Sequence, residues 1–264
     1  MIDLHCHILP GLDDGPANLD FSLAMARAAV DSGTQLMVAT PHIRADFDVH
    51  PEEIEPRVDM FNQRLQSEGL PLRILPGAEV GWANASDLED RVLSKVSLGS
   101  GRHVLLESPY GRRPVDIEAI IDGLMGRGHG VILAHPERCP LFQRNPSQLQ
   151  RLVAQGVLCS ITAGALSGRF GRVPQRFGQE LLSGGLAHDI SSDAHDTDRR
   201  PPGLGEGLAA LVEESPELAP QVDWFARDAP EAIVRGAPLP ARPAADRARE
   251  RPRWRRQLTD WRRR

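Results

Sequence analysis

Short apolar runs alternate along this chain with longer stretches whose apolar residues recur every three or four positions. IDLHC (2–6) is the first strand candidate and LMVAT (36–40) the second. LRILPGAE (72–79), HVLLES (103–108), GVILAHP (130–136), VLCSIT (157–162) and LAHDISSD (186–193) follow. Helical periodicity lies between most of them, at 19–32, 51–68, 115–127, 146–155 and 173–182. Strands of period two separated by helices of period 3.6 predict βα units and a mostly parallel sheet. Seven such units over about 240 residues favour a barrel related to the TIM barrel. An open doubly wound sheet is the alternative. No sequence repeat and no internal linker interrupts 1–240, so one domain is expected there, followed by an Arg- and Pro-rich tail over 241–264.

Polar residues of one chemical kind gather where these strands end. His5 and His7 close the first, His42 follows the second, Glu79 closes the third and Glu107 the fourth. His135 closes the fifth, and Asp193 and His195 the seventh. Asp13 and Asp14 lie in the loop after the first strand. In a parallel barrel all these ends face one mouth, where active sites sit. A strand puts i and i+2 on one face, so His5 and His7 can grip one ion while Cys6 points away, and Asp193 and His195 can do the same. Asp3 shares the face of His5 and is expected to orient a ligand histidine. Four clustered carboxylates need cations. Imidazole with carboxylate suits Mn, Fe, Zn or Co. Asp14, Glu79, Glu107 and Asp193 give −4, so three dications would leave the site at +2 and attractive to an anion such as phosphate.

The whole chain of 264 residues carries −5. Residues 242–264 hold ten Arg against three acids, +7, which leaves −12 on the rest. An acidic body with one Tyr and seven Phe offers no basic groove or aromatic platform for nucleic acid. No apolar run reaches the roughly 18 residues that span a bilayer, and MIDLHCH lacks the pattern of a secretory leader. A cytoplasmic protein with reduced thiols is expected. In the tail, Trp254, Leu258 and Trp261 fall on one helical face among arginines, a pattern that suits an anionic membrane or an acidic partner as well as simple packing on the body.

The ordered set IDLHCHILPGLDDGP, VATPHI, PGAEV, LLESP, ILAHPER and SSDAHDTDRRPP resembles the polymerase and histidinol phosphatase (PHP) family of metal-dependent phosphoesterases, in its capsule-biosynthesis tyrosine phosphatase branch of CpsB/CapC type. The resemblance implies a distorted (β/α)7 barrel and a centre of three divalent ions, with Mn first and Fe, Zn, Co or Mg as alternatives. It implies that His5, His7, Glu79 and Asp193 hold one ion. Glu79 would bridge to a second, held also by Glu107 and His135, and Asp14, His42 and His195 would hold the third. The preference for Asp14 over Asp13 rests on the family pattern alone. Arg138 in HPER and Arg200 in RRPP resemble arginines that clamp substrate phosphate, a task a guanidinium fork suits; Arg199 is a rival to Arg200. Glu137 is a candidate supporting residue. The implied activity is hydrolysis of phosphotyrosine protein, with a bacterial tyrosine autokinase as partner. A small-molecule phosphatase of the histidinol phosphate type, a nuclease and a metal-binding scaffold without turnover are the alternatives.

A thiol mechanism is excluded on spacing. Cysteine-dependent tyrosine phosphatases need Cys-x5-Arg, and the residues six after Cys6, Cys139 and Cys159 are Leu12, Asn145 and Ala165. His50, His103, His129 and His188 fall outside the strand ends and read as structural or solvated.

Overall fold

The computed structural model describes residues 1–110 and 115–246. Nine strands form among the described residues, all paired in parallel: β1 (Ile2–Cys6), β2 (Leu36–Ala39), β3 (His42–Ile43), β4 (Arg73–Pro76), β5 (Glu79–Val80), β6 (His103–Glu107), β7 (Gly130–Ala134), β8 (Leu158–Thr162) and β9 (Asp189–Ser191). They make a three-stranded sheet β1-β2-β4 and a six-stranded sheet β3-β5-β6-β7-β8-β9. The fold is mixed α/β with parallel sheets, as the alternation of periods implies.

The second and third expected strands are each broken in two. Pro41 has no N–H to give a ladder, and the chain leaves β2 there to resume as β3 in the other sheet. Gly77 lies between β4 and β5 at a close approach, where a Cβ would sit 2.7 Å from Val38 Cγ1. These breaks pass two strands from one sheet to the other. On the opposite side, Cys6 bridges Ala194 in parallel, His7 N–H donates to the Ala194 carbonyl at 2.9 Å, and Asp193 N–H donates to that of His5 at 2.8 Å. The end of β1 is thereby tied to the segment after β9.

The helices Leu19–Asp31, Pro51–Ser67, Ile117–Gly126, Pro146–Ala154 and Arg172–Ser183 match the periodic stretches to within two residues at each end. Asn18 caps the first by accepting from Phe21 N–H, and Asp116 caps the third by accepting from Ala119 N–H. Helices Leu204–Glu214 and Ala229–Arg235 complete the body. Strand residues are buried on both faces, as expected of a parallel sheet beneath helices. Leu4, Val38, Leu105, Ile132 and Leu158 form an apolar cluster with Ile233 and Val234 of the last helix. On β6, Leu105 belongs to that cluster, and Glu107 stands two residues further on the same face.

Arg242 anchors the segment beyond residue 240. It donates to the carbonyls of Leu182 and Ala187 and to Gln221 Oε1, with its guanidinium 4.5 Å from the Phe225 ring centre. Asp246 N–H then bonds to the Glu217 carbonyl. The first residues assigned to the tail are therefore held on the body, while Trp254, Leu258 and Trp261 lie outside the described residues. No helix among the described residues is long and apolar enough to cross a membrane.

Candidate metal centre

Parallel pairing delivers the strand ends to one edge, and the polar residues meet there. His5 lies one residue before the end of β1, His42 opens β3, Glu79 opens β5 and Glu107 ends β6, while His135 follows β7 directly and Asp193 and His195 lie just beyond the end of β9. His135 (φ 41°) and Asp193 (φ 52°) are the two non-glycine residues with left-handed backbone among the described residues. Such strained positions cluster at functional sites.

The donor atoms fall into four overlapping groups, each within 4.8 Å. One is His5, His7 and Asp193; a second is His5, Glu79 and His135; a third is His42, Glu79 and Glu107; the fourth is His7, Asp14, His42 and His195. Glu79 is the hinge between them: Oε1 lies 2.8 Å from His135 Nε2, and Oε2 lies 3.2 Å from His5 Nε2 and 3.1 Å from His42 Nδ1. His5 Nε2 stands 3.3 Å from Asp193 Oδ1. The grouping differs in several respects from the ligand sets implied by the family resemblance: His7 also joins Asp14, His42 and His195, and Glu79 is not grouped with His7 and Asp193. Glu107 groups with His42 and Glu79, while His135 groups with His5 and Glu79.

The structure separates the two adjacent acids. Asp13 Oδ2 lies 2.6 Å from His7 Nδ1 and accepts from His42 N–H at 2.9 Å, so it supports two histidines from outside the groups. Asp14 faces the mouth, its Oδ1 3.2 Å from His195 Nε2 and 3.5 Å from His42 Nε2. Gly15 lets this loop fold back, because a Cβ there would sit 2.4 Å from the His7 carbonyl oxygen. Asp3 departs from the expectation that it orients an imidazole. Its Oδ1 accepts from the backbone N–H of His5 and of Ser192, so it ties strand backbones together. Glu137 is fully buried, accepts from Thr162 N–H at 3.1 Å and touches neither a histidine nor an arginine head group through a direct bond.

Electrostatics favour cations here. Burial works against a charged Glu79, yet His5 holds its carboxyl well below the usual range. Asp193 is held low in the same way, against burial, by His5 and Arg200. Burial lowers His42 and His135 to about 4, so their rings are neutral with lone pairs to offer. Asp193 Oδ1, His42 Nδ1 and His195 Nε2 are buried and make no hydrogen bond. Orphaned donors of this kind, imidazole and carboxylate together, fit divalent metal ions.

Arg138 Nη1 and Arg200 Nη2 both donate to Asp193 Oδ2. The two guanidinium groups therefore converge on one point beside the histidines. Arg199 is exposed, and its backbone N–H bonds to Asp196. Sequence periodicity gave no sign of four more residues, Arg44, Phe47, Tyr110 and Phe170. Arg44 Nη1 holds Glu107 Oε1 at 2.7 Å. Phe47 stacks on His42 with ring centres 5.1 Å apart. The Tyr110 hydroxyl lies 2.7 Å from His135 Nδ1, and Arg138 stands over the rings of Tyr110 and Phe170 at 5.5 and 4.1 Å. The one feature of the sequence that could have singled out any of them is that Tyr110 is the one tyrosine in the chain. Of the other histidines, His188 Nδ1 accepts from Cys159 N–H, His129 pairs with Asp90, and His50 with Asp48.

The family model for capsular polysaccharide synthesis, CpsB/CapC, matches residues 1–233. Tyrosine-protein phosphatase YwqE of Bacillus subtilis is 37% identical over 217 residues, covering 81% of this chain and 85% of that protein. Tyrosine-protein phosphatase CpsB of Streptococcus agalactiae is 26% identical over 221 residues, covering 81% and 90%. A solved chain from the crystal structures of YwqE and Streptococcus pneumoniae CpsB, described as unique metal-dependent tyrosine phosphatases, is similar with a TM-score of 0.81 at 33% identity, covering 94% of this chain and 100% of its own. A β-aspartyl dipeptidase of Fervidobacterium islandicum, at 17% identity and a TM-score of 0.56, shares the fold. The chain belongs to the CpsB/CapC family.

Proposed function

We propose that this chain is a metal-dependent protein-tyrosine phosphatase built on a distorted (β/α)7 barrel, holding three divalent ions, manganese first among them. The observation that carries the reading is the pairing of a histidine–carboxylate centre with two arginines that meet on Asp193. His5, His7, Asp14, His42, Glu79, Glu107, His135, Asp193 and His195 would be the metal-holding residues. When bound, divalent ions supply Lewis acidity, which acidifies water and offsets negative charge growing on phosphorus.

The chain's own residues do the rest. Arg138 and Arg200 present guanidinium donors to the phosphate oxygens and fix it beside the centre. Arg138 is kept in place by the rings of Phe170 and Tyr110. Asp13 holds His7, and Tyr110 holds His135, each through the Nδ1 that the cluster leaves free. The three thiols are buried, which supports a route without a cysteine nucleophile. A tyrosine autokinase that controls capsule or exopolysaccharide export is the proposed partner, with the cytoplasm as the compartment.

Turnover of a phosphotyrosine peptide and of histidinol phosphate, measured side by side with Mn(II), tests this reading. Faster turnover of the peptide is the expected result. Appreciable rates on histidinol phosphate alone would overturn it.

A further inference from the structure

A cavity of about 270 Å³ opens beside the metal centre, and Glu107 belongs to both. Trp82, Tyr110, Arg44 and Asn84 are among its walls. We propose that this cavity is the leaving-group site, which takes the aromatic ring of an aryl phosphate while the phosphoryl group lies on the centre. The inference rests on the phosphatase reading above and names the part of the substrate that this side of the site selects.

Size, wall chemistry and charge all point to a neutral ring. The volume falls just below the roughly 300–1,000 Å³ of sites that enclose a whole small molecule, a size suited to one side chain. Two walls are aromatic. The Tyr110 hydroxyl is engaged at 2.7 Å by His135, so the ring is what Tyr110 contributes to the cavity, in an orientation fixed by the centre. Arg44 brings no free charge. Nη1 donates to Glu107 Oε1 at 2.7 Å, Nε to Asp46 Oδ1 at 2.9 Å, and Nη2 to Asp46 Oδ2. Each of the three Arg44 nitrogens already donates to a carboxylate, so its charge is balanced within the wall. Gly81 keeps Arg44 in this place, since a Cβ there would sit 2.6 Å from Arg44 Cγ.

The connection to the centre is short. Glu107 forms one group with His42 and Glu79 on one side and lines the cavity on the other. A phosphate monoester seated at that group can point its ester oxygen into the cavity. Burying the ring against Trp82 then favours aryl over alkyl esters by the apolar area removed from water.

The test compares phosphotyrosine with phosphoserine as free amino acids, and benzylphosphonate with ethylphosphonate as unreactive ligands, on the Mn(II)-loaded full chain. Trp82→Ala is expected to raise KM for phosphotyrosine about tenfold with kcat within about twofold, and to leave KM for phosphoserine unchanged. Calorimetry is expected to show about tenfold weaker benzylphosphonate binding and unchanged ethylphosphonate binding, and Trp82→Phe should restore most of the loss. Equal effects of Trp82→Ala on aryl and alkyl ligands would overturn the inference while leaving the phosphatase reading intact. So would an aryl-selective loss in Phe170→Ala with none in Trp82→Ala, which would seat the ring on the Arg138 side. A wild-type protein without turnover of either amino acid ester would count against the phosphatase reading itself, and the phosphonate arms would then decide the cavity alone.

Discussion

Asp13 Oδ2 lies 2.6 Å from His7 Nδ1, and that contact divides two neighbouring acids between different tasks. Asp13 works through a histidine, whereas Asp14 offers its own oxygen to the centre. Asp13→Ala is expected to weaken metal affinity by about 10–100-fold, with activity recovered at high Mn(II). Asp14→Ala should lower the number of ions bound at saturation. Metal titration by calorimetry, with metal content measured after dialysis, separates the two. Identical stoichiometry in both variants would refute the division.

Tyr110 makes a comparable contact on the other side of the centre. Tyr110→Phe keeps the ring and removes only the hydroxyl that meets His135 Nδ1. An approximately tenfold loss of Mn(II) affinity is expected, with the melting temperature of the metal-free protein unchanged within about 2 °C. An affinity equal to wild type would show that the hydroxyl does not orient His135.

Chelation and alkylation should act in opposite ways. Cys6, Cys139 and Cys159 are buried, and burial raises all three thiols, so the reactive thiolate is scarce. EDTA is expected to abolish phosphatase activity and Mn(II) to restore it. Iodoacetamide on the native protein should leave the rate within about twofold. The opposite pattern would remove the metal mechanism.

Stability should carry a pH signature from Asp189. Burial pushes this carboxyl up to about 7, against hydrogen bonds from Ser191 and Ser160. In the unfolded chain it titrates near the ordinary value of about 4. Between those values the folded protein holds the extra proton, so the contribution is full below about pH 4 and is lost as pH rises through about 7. Asp189→Asn cannot ionise. Its melting temperature relative to wild type should therefore be higher at pH 8 than at pH 5, by a few degrees in thermal unfolding. An equal difference at both pH values would mean that Asp189 is already ionised in the folded state.

The strand-end residues were legible in the sequence because a two-residue period fixes which face a residue takes, and parallel βα order fixes which edge. His5 and Glu107 follow from that alone. The strand break at Gly77–Ala78 was not legible, because it depends on the close approach of Val38 to Gly77. Arg44 and Tyr110 also escaped notice. They sit outside long periodic elements, where direction is set by tertiary contacts such as Arg44 with Glu107. The split of Asp13 from Asp14 needed a third dimension for the same reason: both occupy one turn, and only the fold-back at Gly15 decides which carboxylate faces inward.

Asp193 serves two neighbourhoods with two oxygens, Oδ1 toward His5 and Oδ2 toward Arg138 and Arg200. Damage at this position cannot be repaired one partner at a time. Excess metal would not re-seat the arginines, and a new cation near the mouth would not re-seat the ion. In a population of variants, Asp193 should behave as an intolerant position without single-site suppressors, while Asp13 and Tyr110, each serving one histidine, should yield them.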